Sequence, residues 1–478
     1  MRAHYIGIKL FAVMLLVIIA YVGLVFISGL VTERQSYQHD FIRDISQSQI
    51  SAQTIVSPFI RVPYQAASTC LNEKNEKYAC LEQRWAFIGA QHSDVTTTFN
   101  VSDDNYKRGI YKAISFNTQL TAQGQFLAND TKQQDYEWDK AEIVLPVQDP
   151  RGLNSKPSMK IAGNTYQFAF SPQDDSSTAF NFMRISVQQR PEIKAYLQQG
   201  FDFNLNLDSN GLSSFTLIPT SQSIQYQATG NWADVKYDGQ NLPFEKQSAE
   251  QQFSAQWKNI AIGQQNLARL AQCNSRDCLA GVIAVANPQA AAEAEYSNTT
   301  DKIGLTTEFL QTADVYTQTD RAIKYGIIII FMSFACFFLF EVLKGLPIHP
   351  IQYSLVAMAQ GLFFVLLLSI SEYYAFALAY LLAAIACISL ITWYLYFVMQ
   401  SVKAAAGFGV MLSLLYAMIY LLLQSNSKTF LVGAIISFCL LAAVMFVTRH
   451  VNWYQIQNKA VQSKSELAAP MTSDSAET

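Results

Sequence analysis

The residues best suited to chemistry in this chain are four cysteines in two close pairs, Cys70 with Cys80 and Cys273 with Cys278. Cysteine pairs either hold a zinc ion as thiolates or join as disulfides in an oxidising compartment. The two pairs have unequal internal spacings and lie far apart in the chain, which fits a zinc ribbon poorly. The pattern therefore predicts two disulfides between nearest neighbours, with a four-thiolate zinc site as the alternative.

Signals for catalysis or for a bound cofactor are missing from the rest of the sequence. None of the 5 histidines lies at metal-ligand spacing from another, and the chain has no Gly-x-Ser-x-Gly motif and no glycine-rich phosphate loop. The net charge of -3, without a basic cluster, argues against binding to nucleic acid. The sequence therefore predicts no catalytic site, no cofactor and no metal.

Three polar residues in the apolar C-terminal part could serve transport, because ionisable groups within a bilayer are costly and usually functional. Glu341 and Glu372 lie near the ends of predicted membrane helices, so we interpret them as interfacial, with a proton or cation site as the alternative. Gln360 lies in mid-helix, where we expect it to hydrogen-bond a neighbouring helix rather than a substrate.

Two charged dipeptides, Glu33-Arg34 and Asp320-Arg321, flank the predicted membrane boundaries of the central domain. We expect these dipeptides to form ion pairs with each other, with Arg34 and Arg321 as the cations, and so to fix the domain against the bilayer. The alternative is that these charges are solvated at the membrane interface.

Apolar runs long enough to cross a bilayer, about 20 residues each, occur at the N-terminus and again in the last third of the chain. Residues 8–30 form the first run and lack a small-residue cleavage site, which favours an uncleaved anchor over a signal peptide. Further candidate helices cover residues 325–343, 351–370, 374–397, 404–423 and 430–447, in a C-terminal bundle at 325–448. The chain is therefore expected to contain about six transmembrane helices.

Lysine and arginine in short loops set the expected orientation, because these residues are retained on the cytoplasmic side. Lys344, Lys403 and Arg449 would share one side, whereas the opposite short loops carry a single lysine. Both termini are therefore predicted to be cytoplasmic, with residues 31–321 outside the cytoplasm and a disordered cytoplasmic tail at 455–478.

The central segment has the alternation and turn signals of a β-rich domain. Residues 201–207 alternate apolar and polar side chains, which is typical of a half-buried strand. Asp208-Ser209-Asn210-Gly211 then predicts a turn before a strand at 215–218. Other predicted elements are a hairpin around Gly163-Asn164, a strand at 225–228, and helices at 261–271 and 289–296. The fold class is therefore a mixed membrane protein, with transmembrane α-helices and a large β-rich region that forms one domain or two.

Several short motifs occur in a fixed order along this layout. They are Glu33-Arg34-x-x-Tyr37, Asp149-Pro150-Arg151-Gly152, Asn231-Trp232, Phe253-x-Ala255-x-Trp257, Asp320-Arg321, His349-Pro350-x-Gln352-Tyr353 and Asn452-Trp453-Tyr454. With this order and this arrangement of helices, the chain resembles the CreD family of bacterial inner-membrane proteins over nearly its whole length. Ser57 and Gln252 depart from the resemblance, because the family usually has glycine at both positions.

The resemblance implies a bacterial inner-membrane location, a periplasmic β-rich domain, and a role in cell-envelope integrity or the response to envelope stress. It also implies a link to a two-component regulatory system, but it implies no molecular activity. We favour non-catalytic binding of a periplasmic partner or cell-wall component through the β-rich domain, with the helices held in the lipid bilayer. The alternatives are a transporter or permease component, and a membrane sensor that requires a partner kinase.

Overall fold

The chain forms two compact units in the computed structural model. They are Met1–Tyr37 together with Ala313–Thr478, called here the helical unit, and Gln38–Thr312, called the β-rich unit. The structure describes residues 2–71, 75, 77–128, 136–170, 181–239, 241–249, 251–259, 261–271, 304–311, 315–344, 348–424, 438, 442 and 445.

Long apolar helices make up the helical unit. The described helices of the whole chain are α1 (Arg2–Ser48), α2 (Lys194–Gln199), α3 (Ile262–Ala271), α4 (Val315–Lys344), α5 (Pro350–Ser371), α6 (Phe376–Met399) and α7 (Val402–Gln424). Five of them, α1 and α4 to α7, are long and apolar enough to cross a membrane. The sixth predicted span, 430–447, lies outside the described residues except for three isolated positions. The described part therefore confirms a membrane protein with one N-terminal and four C-terminal apolar helices.

The first helix continues well past the anchor predicted at 8–30 and ends at Ser48. Residues 31–48 contain neither glycine nor proline, so no residue in this stretch breaks the helix. Phe41 and Ile45, one helical turn apart, are buried and share a small apolar cluster with Ala113 and Leu212 of the β-rich unit. Burial of this apolar pair explains why the last turns of α1 remain helical in a polar sequence.

The His349-Pro350-x-Gln352 motif begins α5. The backbone N–H of His349 donates to the Gln352 side-chain oxygen at 3.1 Å, and the N–H of Ile351 donates to His349 Nδ1 at 3.3 Å. Pro350 occupies the first helical position, where its missing N–H is not needed. The motif is thus a helix start signal, which explains these residue types without any catalytic role for the histidine.

The β-rich unit contains two sheets, which have nine and eight strands within the described residues. The strands are β1 (Gln53–Val56), β2 (Phe59–Leu71), β3 (Lys77–Gly89), β4 (His92–Arg108), β5 (Tyr111–Leu127), β6 (Glu142–Val147), β7 (Ser158–Ile161), β8 (Asn164–Gln167), β9 (Ala169–Phe170), β10 (Asn181–Ser186), β11 (Gly200–Leu212), β12 (Ser214–Ile218), β13 (Ser223–Gly230), β14 (Val235–Gly239), β15 (Glu245–Ala249), β16 (Gln252–Asn259) and β17 (Leu305–Phe309). The nine-stranded sheet has the order β14-β17-β12-β1-β6-β10-β9, with β2 paired to β6 and to β3. The eight-stranded sheet has the order β15-β16-β13-β4-β5-β11-β7-β8.

Aromatic side chains join the two sheets in one apolar core. Phe99 on β4 lies 5.2 Å, between ring centroids, from both Phe215 on β12 and Phe309 on β17, and 5.6 Å from Phe116 on β5. All four side chains are buried and belong to one cluster. The sheets therefore pack face to face, and the residues that alternate with these phenylalanines point to the opposite face of each strand.

The hairpin and strand predictions for this region are largely confirmed. β7 and β8 form the hairpin around Gly163-Asn164, 201–207 lies within β11, and α3 covers the helix predicted at 261–271. The turn predicted at Asp208–Gly211 is wrong, because β11 continues to Leu212. The turn residue is instead Ser213, whose φ is 62°. The second predicted helix, 289–296, lies outside the described residues.

A disulfide joins Cys70 on β2 to Cys80 on β3, with the Cα atoms 5.8 Å apart. The predicted pairing is confirmed here, and the bond removes both thiols from a four-thiolate zinc site. Cys273 and Cys278 lie outside the described residues, so their pairing stays a prediction.

Candidate ligand-binding cleft

The charged residues predicted at the membrane boundary have partners within the helical unit. Arg34 lies 3.7 Å from the Glu372 carboxylate. Asp320 accepts hydrogen bonds from Ser28 at 3.1 Å and from Lys324 at 2.6 Å, and Arg321 is exposed. That the two dipeptides pair with each other stays a prediction. These partly exposed pairs are typical of interfacial anchoring and stabilise a protein only weakly.

Gln360 connects two helices of the bundle. Its side chain is fully buried and donates a hydrogen bond to the Ser333 hydroxyl on α4, which donates to the Ile329 carbonyl at 2.6 Å. Glu341, another candidate, accepts a 3.0 Å hydrogen bond from the Tyr353 hydroxyl. These groups are engaged in contacts between helix neighbours, and the described residues hold no cluster of acidic or histidine side chains fit for a metal.

A continuous row of asparagines crosses the eight-stranded sheet. Asn100 on β4 is the direct register partner of Asn117 on β5, and Asn117 is the register partner of Asn210 on β11. Asn231 follows β13, the next strand on one side, and Asn154 precedes β7 on the other. We call Asn231, Asn100, Asn117, Asn210 and Asn154 the asparagine row. It lies on the outer face, because Phe99 and Phe116 point into the core.

Side-chain hydrogen bonds link most of the row. Asn231 donates to the Asn100 side-chain oxygen at 3.0 Å and accepts from the Val101 backbone N–H at 2.6 Å. Asn117 donates to Asn210 at 2.9 Å, and Asn210 donates to Asn154 at 2.7 Å. The amides are thereby held in fixed orientations, which lowers the entropic cost of presenting them to a ligand.

Two adjoining cavities lie over this part of the sheet. The first, about 650 Å³, is lined by Ile50, Asn100, Val101, Ser102, Asn105, Tyr106, Ser115, Phe116, Asn117, Asn210, Gly211 and Asn231. The second, about 630 Å³, is lined by Thr98, Phe99, Asn100, Thr229, Gly230, Asn231, Gln247, Ser248, Ala249, Gln252, Phe253 and Ser254. Asn100 and Asn231 border both, so we treat the cavities as one cleft. None of these lining residues is Asp, Glu, Lys, Arg or His.

Four charged residues close in sequence to the lining of the first cavity neutralise one another. Lys112 bridges Asp103 at 3.0 Å and Asp104 at 3.3 Å, and Lys107 also pairs with Asp104. Hydrogen bonds from Lys107 and Lys112 lower the pKa of Asp104, while the bond with Asp103 raises the pKa of Lys112. Both shifts favour the ionised forms of Asp104 and Lys112, and the formal charges of these two acids and two bases cancel.

Two glycines allow the chain to pack closely around Asn210 at the cleft. A Cβ on Gly211 would lie 2.2 Å from Cζ of Phe116, so this position accepts only glycine without displacing a core ring. A Cβ on Gly152 would lie 2.4 Å from the backbone oxygen of Asn210. Both glycines thus permit the close approach that holds Asn210 in the row.

The Asp149-Pro150-Arg151-Gly152 motif holds this end of the cleft together. Arg151 donates to the Asp149 carboxylate at 2.7 and 2.8 Å, and to the backbone oxygens of Ser46 and Gln47 at 2.9 and 2.7 Å. The Asp149 carboxylate also accepts from the N–H and hydroxyl of Ser51, at 2.8 and 2.9 Å. Burial tends to raise the pKa of Asp149, but the Arg151 and Ser51 hydrogen bonds outweigh it and lower that pKa.

The sequence alone does not place the asparagine row in a candidate site. Asn231-Trp232 is a motif and Asn210 falls in a predicted turn, but no sequence pattern connects these residues. The available signal was an asparagine directly after a buried phenylalanine on each of two long strands, at Asn100 and Asn117. Because strand register cannot be read from one sequence, their alignment with Asn210 becomes visible only in the fold.

Comparison with known proteins gives the family. The family model for inner membrane protein CreD matches residues 5–454. The chain belongs to the CreD family. The inner membrane protein CreD of Escherichia coli (strain K12) is 25% identical over 466 residues, which cover 96% of this chain and 95% of that protein. The CreD match includes both the apolar helices and the asparagine row, so the cleft is part of the region shared with the family model.

Proposed function

We propose that this CreD-family protein supports the integrity of the cell envelope by binding an envelope component, without catalysis, in the cleft of its β-rich unit. The uncharged cleft is the observation that carries this proposal. Acid–base and metal chemistry need ionisable groups, and a serine or threonine nucleophile needs a base beside it. The residues that line both cavities supply amides, hydroxyls and apolar groups, and the Tyr106 phenol is the one ionisable side chain among them. An arrangement of this kind is suited to recognition by hydrogen bonding.

The proposal places the β-rich unit in the periplasm and both termini in the cytoplasm. The positive loop residues Lys344 and Lys403 support this orientation, and the Cys70–Cys80 disulfide is typical of an oxidising compartment. Alkaline phosphatase is active only outside the cytoplasm, so fusing it to this chain at chosen positions tests the orientation directly. We expect activity from a fusion after Leu310 and none after Lys344 or Lys403; the opposite pattern would contradict the orientation.

Binding can be tested by crosslinking in living cells. A photoreactive amino acid replaces Asn105, which is exposed at the cleft, and in a matched control it replaces Asn204 on β11, which borders a different cavity. We expect an envelope component to be captured from position 105 and not from 204. Failure to capture anything from 105, or the same products from both positions, would contradict the proposed function.

A further inference from the structure

We propose that the ligand of the cleft is a neutral glycan chain, recognised through its hydroxyl and acetamido groups by the asparagine row and by Asn105. This inference rests on the proposed function, since it specifies what the same cleft binds. It is carried by three properties of the cleft: unpaired amide groups at its centre, the absence of charge from its lining, and the position of the centre of the row on interior strands.

Within the described residues, the row leaves one donor group and one acceptor without a protein partner at its centre. The Asn100 side-chain oxygen accepts a hydrogen bond from Asn231, and the Asn117 side-chain N–H donates one to Asn210. Within the described residues, no protein group bonds the Asn100 side-chain N–H or the Asn117 side-chain oxygen, although these two residues are register partners. A sugar hydroxyl both donates and accepts, so a single hydroxyl group can satisfy both.

Asn105 adds a further group at the same cavity. Its side-chain N–H donates to the Ser115 hydroxyl at 2.9 Å, which leaves its amide oxygen as an acceptor toward the cleft lining. Tyr106 beside it is half-buried and presents an aromatic ring with a hydroxyl. An apolar ring next to fixed amides matches a sugar, which has an apolar C–H face and a polar edge.

Charged and metal ligands fit the lining poorly. Phosphates and carboxylates are held by Arg, Lys or helix N-termini, and divalent cations by carboxylates. Neither kind of side chain lines the two cavities. A lipid or other apolar ligand would in turn leave the row's amides desolvated without partners, which is unfavourable.

A peptide ligand is also disfavoured by the topology. Extended peptides commonly bind by adding a strand to a free sheet edge. The central part of the row lies on β4, β5 and β11, which are interior strands with a paired neighbour on each side, so their backbone groups are already used. The edge strand β15 borders only the second cavity, so recognition along the row must come from side chains. The two joined cavities, about 650 and about 630 Å³, are each large enough for a small ligand, which favours a chain over a single sugar unit.

The test uses the full-length protein in lipid nanodiscs and two soluble probes. One probe is the neutral tetramer of N-acetylglucosamine, and the other is the anionic tetramer of galacturonic acid. We expect calorimetry to show binding of the neutral probe alone, with little change when salt is raised about tenfold, because no charge pair contributes. Asn105→Ala and Asn117→Ala should each weaken binding by about threefold to tenfold, as expected for one lost hydrogen bond.

Matched controls separate binding from folding. Asn105→Ala loses the hydrogen bond to Ser115 but leaves those of the asparagine row intact, so we expect only a small loss of stability and an unchanged fold. Asn204→Ala on the same sheet should leave affinity unchanged. The inference is overturned if the wild type does not bind the neutral tetramer, if it binds the anionic one better, or if the two cleft variants bind as the wild type does. Crosslinking from position 105 that captures a protein would overturn the glycan inference while supporting the proposed function.

Discussion

Asn117 on β5 donates a 2.9 Å hydrogen bond to Asn210, its direct register partner on β11. Asn117 has an equivalent partner on its other side, Asn100, yet within the described strands no hydrogen bond joins those two side chains. The row is therefore two hydrogen-bonded groups with an opening between them. The hydrogen bonds within each group fix the orientations of the amides. The opening between the groups is where a ligand can form hydrogen bonds with amide atoms that lack a partner.

Replacing Asn231 should loosen the sheet at one end of the cleft. Asn231→Ala removes the acceptor for the Val101 N–H and the donor to Asn100, so we expect a loss of about 1–2 kcal/mol in the free energy of unfolding. Chemical unfolding in detergent, followed by tryptophan fluorescence, measures the change. Asn164→Ala, at the exposed first residue of β8, is the matched control. Equal stability of the two variants would contradict the structural role of Asn231.

Asp149 should make the β-rich unit sensitive to acid. Its pKa in the folded protein lies below the ordinary value of 3.8, so its stabilising effect is complete above pH 3.8 and is lost as the pH falls through the lower, folded value. We expect Asp149→Asn to cost about 1–2 kcal/mol of unfolding free energy at pH 7 and to flatten this acid dependence. Unfolding measured from pH 7 down to about pH 2 tests both effects.

The control for that acid response is Asp139→Asn. Asp139 is highly exposed in its ion pair with Lys194, and exposed pairs contribute little. A steep acid dependence that survives Asp149→Asn would show that other carboxylates control the unfolding of this unit.

Loss of the disulfide should weaken the hairpin of β2 and β3. The bond closes a loop with a sequence separation of 10, for which chain entropy predicts about 2–3 kcal/mol of stabilisation. We expect Cys70→Ser with Cys80→Ser to lower the free energy of unfolding by that amount, and a reductant to lower that of the wild type by at least as much, because it would also reduce the predicted Cys273–Cys278 pair. Mass spectrometry of proteolytic fragments verifies the bond, and wild-type stability that is unchanged by reductant would contradict this prediction.

Gln360 should matter for helix packing more than for transport. Gln360→Leu loses the hydrogen bond to Ser333 but also removes a buried amide oxygen that has no partner in the described bundle, so we expect a change within about 1 kcal/mol. A double-mutant cycle with Ser333→Ala measures the coupling, with Ser389→Ala on exposed α6 surface as the control. A loss of several kcal/mol would contradict this interpretation.

The sequence predicted the parts of the fold that depend on local pattern. Long apolar runs identified the helices, and alternation identified β11 and the hairpin of β7 and β8. The turn predicted at Asp208–Gly211 was wrong because a strand can contain the same residue types. Polar side chains suit its solvent-facing positions, and glycine is required where the Phe116 ring of the core lies against its backbone. Tertiary contact overrides local propensity at such positions.

Most residues of the candidate site could not be predicted from the sequence. Asn100, Asn117 and Asn210 are separated by up to 110 positions in the chain and become neighbours only through strand register. The motifs Asp149-Pro150-Arg151-Gly152 and Asn231-Trp232 did point to this region, because they lie at two sides of the row. Only the structure shows what the motifs contact: Arg151 binds the last turn of α1, and Asn231 binds the backbone of β4.

The Cys70–Cys80 bond bears on the order in which the β-rich unit could assemble during the export that we propose for it. β1 pairs with β12 and β12 pairs with β17, so the nine-stranded sheet stays incomplete until its last strand has been delivered. The hairpin of β2 and β3, in contrast, needs only its own consecutive residues and one oxidation. A newly translocated chain would thus carry a covalently closed, self-paired hairpin from the outset, which shields two early strands from mispairing while the rest of the sheet arrives.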